Sequence, residues 1–187
     1  AREAELARMG QPIAKSRLYY LKVKTYLTDG HYANELYAID ALTGELLYKA
    51  PEKPHIAGHQ YTVLAEGPSQ GVLVLTHQGD TREAHYLTLL DLDTLEPTRI
   101  GSHAIFHKSF VEKRGDFFYA IDFRGEGDFR LGKYDTELKQ VAESVERIDP
   151  DTVFHIYGDL IFVNSPSKRV LVLNAADLSK VRELDLR

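Results

Sequence analysis

The chain has 187 residues and a formal net charge of −5, from 23 Lys and Arg against 28 Asp and Glu. Its 43% apolar content is enough for the packed core of one domain, or at most two small ones, and argues against an intrinsically disordered chain, while the mildly acidic balance argues against electrostatic nucleic-acid binding. The absence of Cys excludes a disulfide scaffold, a cysteine nucleophile, an iron–sulfur centre and thiolate zinc, and no run approaches the roughly 18 apolar residues of a membrane-spanning helix.

Residues 1–16 carry strong helix formers with alternating charge signs, stopped by Gly10 and Pro12. This segment is too polar for a signal peptide. It reads as a short N-terminal helix, the tail of a longer charged helix or linker, with residues 17–187 as a C-terminal β domain mounted on it.

From Arg17 onward, runs rich in Val, Ile, Tyr, Phe and Leu alternate with turn clusters, as in Leu18–Val23, Gly71–Leu75, Phe117–Ile121 and Leu160–Val163. One unit recurs: a strand, an Asp- or Asn-rich turn, and a second strand. Its copies are Leu36–Leu46, Leu87–Glu96, Leu131–Lys139 and Leu171–Lys180, with Glu45, Glu96, Lys139 and Lys180 taken as equivalent. The steps of roughly 40 to 50 residues match a propeller blade. A second hairpin precedes each later copy, around the turns Gly67–Gly71, Arg114–Asp116 and Gly158–Asp159. Each repeat therefore predicts one four-stranded blade, and the first lacks its opening strand. The expected fold is all-β, a small propeller-like array of about fifteen strands in four blades, with a two-sheet β-sandwich as the alternative. Asp40-Ala41-Leu42-Thr43-Gly44 has full turn chemistry, whereas the turns at Asp91 and Asp135 lack the glycine and read as degenerate.

The run Ala38-Ile39-Asp40-Ala41-Leu42-Thr43-Gly44-Glu45-Leu46-Leu47-Tyr48 resembles the repeat of quinoprotein-type (PQQ-like) β-propellers, with Tyr48 where that family has Trp. Trp is absent throughout, so the ring-docking residue of that family is missing and no organic cofactor is expected. The charged lead-in, Phe129–Asp135 and Val172–Leu178 together resemble the C-terminal region of the spirochaete eighty-three/one-hundred-kilodalton antigen family. That resemblance implies a protein of the bacterial periplasm or cell envelope, with no catalytic residues to carry over.

Histidines provide the candidate sites. His55 and His59 are four apart, as are His103 and His107. Aligning Thr62, Phe110 and Thr152 brings His59, His107 and Asp149 to one repeat position, on strands that line a propeller channel. Two imidazoles and a carboxylate are a donor set for a divalent metal, with His55 and His103 as further donors. The bland reading is an inherited repeat position bonded to neighbouring backbone. Arg114-Gly115-Asp116 spells an adhesion tripeptide, against which stands ordinary hairpin-turn chemistry. Gly125-Glu126-Gly127-Asp128 lacks the alternating carboxylates of a calcium loop and reads as a hairpin tip. Asp91 and Asp93 fall in a predicted turn, where they cap backbone groups. No nucleophile elbow or other catalytic constellation is visible. The expectation is a non-enzymatic interaction or scaffold domain that presents its loops to a protein partner. The alternatives are a metal- or small-ligand-binding propeller and a host-cell adhesin.

Overall fold

The computed structural model describes residues 17–27, 32–67, 69–79 and 84–186, so the expected helix over 1–16 lies outside the described residues. Among the described residues are fifteen β-strands and no helix. The first group is β1 (Arg17–Tyr26), β2 (Tyr32–Asp40) and β3 (Leu46–Lys49). The second is β4 (His55–Leu64), β5 (Gly71–His77), β6 (Tyr86–Leu90) and β7 (Pro97–Ile100). The third is β8 (Glu112–Arg114), β9 (Phe117–Gly125), β10 (Asp128–Tyr134) and β11 (Gln140–Glu143). The fourth is β12 (His155–Tyr157), β13 (Leu160–Asn164), β14 (Val170–Asn174) and β15 (Lys180–Leu184). All pairings are antiparallel, and groups two to four are four-stranded meanders.

The first two groups join into one seven-stranded sheet. Strand β3 is only four residues long and covers β2 from Tyr37 to Ile39, leaving the Asn34 end of that edge free for Ile56 of β4. There are thus three sheets, not the two of a sandwich.

Three cores hold the array, one at each junction between consecutive groups. Leu36 and Ala38 of group one meet Val72, Val74 and Leu90 of group two. Leu73, Leu75, Leu87 and Leu89 meet Phe118, Ala120 and Tyr134 of group three. Tyr119, Ile121 and Leu131 meet Ile161, Val163, Leu171 and Leu173 of group four. Side chains alternate across a strand, so one strand serves two cores with its odd and even positions. That is why β5 reads as a continuous apolar run and is buried along its whole length. No core combines residues of the first group with residues of the fourth.

The repeated turn opens on the same side-chain bond in all four groups, including those that read as degenerate, and is one residue shorter in the third, where Leu138 N donates to Asp135 O and Asp135 N to Lys139 O. Asp40 Oδ1 accepts the amides of Leu42 and Thr43, and Asp91 Oδ1 those of Asp93 and Thr94. Asp135 Oδ1 accepts the amide of Glu137, and Asn174 Oδ1 that of Ala176. Each turn then needs a residue at positive φ. Gly44 supplies it in the first group at 76°, but Leu95, Leu138 and Leu178 supply it in the others at 59°, 58° and 62°. Those three leucines are fully buried, one in each inter-group core. The bond from Asn174 to Ser179 also shows that Ser179, not Lys180, is the equivalent of Glu45 and Glu96.

Candidate functional site

The largest irregularity in the sheets builds the candidate site. In β4, Ala57 pairs with Leu75 but the next pair is Thr62 with Leu73, so residues 58–61 swing out opposite Val74 alone. Gly58 permits this with a φ of 70°. The bulge is tied down on several sides. Asn34 Nδ2 donates to Gly58 O at 2.5 Å, and the Tyr61 hydroxyl donates to Tyr19 O at 2.5 Å. The Gln60 amide mimics a strand: its Nε2 donates to Val111 O at 2.7 Å, and its Oε1 accepts from Val111 N at 3.0 Å.

Between this bulge, β5 and the 107–111 segment lies a cavity of about 320 Å³. Leu73, Leu75 and Val111 are among its apolar lining residues, and Tyr32 and Phe110 line it as well. Its charged or chargeable groups are His59, His107 and Lys108, with the phenols of Tyr32 and Tyr61. The Tyr32 and His59 rings meet edge to face with centroids 4.7 Å apart.

Next to the cavity runs a ladder of imidazoles. His55 stands opposite His77 in the β4–β5 register, with ring centroids 5.3 Å apart. His77 and His85 are 4.6 Å apart, and His85 and His107 are 5.8 Å apart. His77 is fully buried, with Nδ1 2.7 Å from Gly79 O and Nε2 2.9 Å from Tyr32 O. A neutral imidazole carries one N–H and so donates to one of these carbonyls at a time.

His59 and His107 line one cavity beside the β4 bulge, and Asp149 lies elsewhere. The bonds Phe106 N to Ile121 O and Asp149 N to Asn164 O make Phe106, not His107, the equivalent of Asp149. The matching caps confirm the one-residue offset: Ser109 Oγ accepts Ile121 N at 2.7 Å, and Thr152 Oγ1 accepts Asn164 N at 3.0 Å. Asp149 instead pairs with Lys168 and accepts Asp151 N, and the Lys168 ammonium holds its carboxyl below the usual range. His55 belongs to the ladder, while His103 is exposed, 6.1 Å from the Tyr134 ring. Among the described residues no group of three or more His, Asp or Glu is gathered to hold a metal ion. Arg114-Gly115-Asp116 forms the β8–β9 turn, with Gly115 at a φ of 55° and Arg114 reaching Asp159 at 3.7 Å. Gly125–Asp128 is the β9–β10 hairpin tip, as expected.

Sequence reasoning missed a buried carboxyl. Asp122, 2% exposed, accepts hydrogen bonds from the Tyr134 hydroxyl and the Gln140 amide. Burial pushes it up to about 8, with the Tyr134 bond acting against the shift. The signal was a single charge inside the apolar run Phe117–Phe123. Enclosed by Tyr134 and Gln140, it is an internal lock between strands.

No protein-family model matches the chain, and no curated protein matches it either. Solved structures do. BamB from Moraxella catarrhalis aligns with a TM-score of 0.54 and 15% identity, covering 84% of this chain and 46% of that one. The dihydro-heme d1 dehydrogenase NirN, solved in complex with DHE, aligns with a TM-score of 0.52 and 14% identity, covering 88% and 37%. Both are β-propellers. The fold is of the propeller type. This chain spans less than half the length of either structure, and at such identities the likeness is one of fold. The groups described above are therefore blades. The resemblance to the spirochaete antigen family rests on sequence motifs alone.

Proposed function

We propose that this chain is a non-enzymatic protein-interaction or scaffold domain of a bacterial cell-envelope protein. The observation that carries the interaction reading is the pair of end faces. The two inner blades are covered on both sides, whereas the first and last are covered on one. On the first blade, Tyr19 and Leu21 turn inward while Leu18 and Tyr20 face out, Tyr20 at 54% exposure. On the last, Ile156 turns inward while Tyr157 faces out at 80%. Exposed aromatic and aliphatic groups on rigid sheets are the usual anchors of protein contacts. The envelope assignment rests on the motif resemblance.

Photo-crosslinking in cells tests this reading. A photoreactive phenylalanine at position 20 or 157 is expected to give a discrete crosslinked protein, and one at position 127 is not. Equal, featureless labelling from all three positions would overturn it.

A second reading, ligand binding, is favoured by the His59–His107 cavity. A thermal shift on adding zinc would support its metal form, and no shift at saturating zinc would remove that form.

A further inference from the structure

The cavity beside the β4 bulge is a built feature. A gap left by poor packing would close or vary, but this one is framed by four loop residues and pinned by the Gln60–Val111 pair and by Asn34. Its volume of about 320 Å³ lies at the lower end of small-molecule sites, roughly 300–1,000 Å³.

Its lining departs from the acidic balance of the chain. Acidic residues outnumber basic ones, 28 to 23. Yet among the described residues lining the cavity there is no Asp or Glu, and there are Lys108, His59 and His107. Lys108 is exposed and forms no ion pair among the described residues, and His59 is exposed and meets the Tyr32 ring edge to face. An apolar wall disfavours a hydrophilic anion, and the Lys108 ammonium disfavours a cation. The complement of both is an amphipathic anion.

We infer that this cavity binds an apolar carboxylate, its hydrocarbon part against Leu73, Leu75 and Val111 and its carboxylate at Lys108 and His59. Charge-assisted hydrogen bonds to the ammonium and imidazole supply orientation, and burial of the tail supplies most of the free energy. The site goes beyond the end-face reading and is independent of it: its failure leaves the crosslinks at positions 20 and 157 untouched.

Calorimetric titration of the full chain with decanoate, decanol and decylammonium tests the inference. Decanoate is expected to bind at least tenfold more tightly than decanol, and decylammonium more weakly than either. The preference for decanoate is expected to shrink as salt rises. Lys108→Gln, on an exposed side chain, is expected to keep the melting temperature, to weaken decanoate about fivefold or more and to leave decanol unchanged. His59→Gln gives a second, independent reading of the same loss. Equal affinity for decanoate and decanol, or no effect of either substitution, would overturn the carboxylate assignment. No decanoate binding at millimolar concentration would overturn the site.

Discussion

Asp122 is where a single side chain gives the fold a pH dependence. Its carboxyl lies under the Tyr134 hydroxyl and the Gln140 amide, and a Cβ at Gly132 would collide with both carboxylate oxygens. Burial raises it to about 8 from an unfolded value near 4. The folded state therefore holds the proton more tightly than the unfolded chain. The stabilisation is complete below about pH 4 and is lost as pH rises toward 8, by at most about 1.4 kcal/mol per pH unit. Urea unfolding at pH 5 and pH 8 is expected to show lower stability at the higher pH, and Asp122→Asn to flatten that slope. An unchanged slope would show that Asp122 is not the group responsible. Lys133 is buried in a comparable way, with Nζ donating to Ala175 O and Ala176 O while lying 4.0 Å from the Phe117 ring centroid. The apolar run around Asp122 hints at its burial, but neither residue's partners can be read from the sequence. In each case the neighbouring strand or blade, not the local pattern, supplies the partners.

At the scale of elements, the repeated turn sets a local cost against a tertiary gain. A non-glycine residue in the left-handed region costs roughly 1–2 kcal/mol. Burying a leucine side chain contributes about 1.5–3 kcal/mol. The second term wins, which is why Leu95, Leu138 and Leu178 stand where Gly44 stands in the first blade. This leads to an inverted ranking. Leu138→Gly is expected to be about 1 kcal/mol more stable than Leu138→Ala, because glycine releases the backbone strain that alanine keeps. The opposite order in equilibrium unfolding would remove strain as a factor. The bulge makes a second case. Gln60→Ala deletes both bonds to Val111 and is expected to cost about 1–3 kcal/mol. Hydrogen exchange should quicken first at the Val111 amide.

At the scale of the whole molecule, stability is carried by nearest neighbours. Four blades share three cores, so a perturbation in the first junction has no direct path to the third. Leu36→Ala and Leu173→Ala lie in the first and third cores. Their free-energy costs are expected to add within about 0.5 kcal/mol. Coupling well above that would show that the first and last blades touch, which is ring closure by this chain alone. The same arrangement explains the sequence pattern of the blades. Gly71–His77 is buried throughout because both its faces meet a neighbour, while β13 alternates between buried and half-buried positions.

The all-β class, the strands and the recurring turn were legible in the primary structure, because they follow from period-two patterning and local Asp and Asn bonding, which act within a few residues. The cavity that His59 and His107 share, the imidazole ladder and the exclusion of Asp149 were not. Each depends on a register: a bulge of residues 58–61 over Val74, and a one-residue offset that aligns Phe106 with Asp149. Register is set by the energy of pairing and packing distant segments against one another, and no local signal carries it.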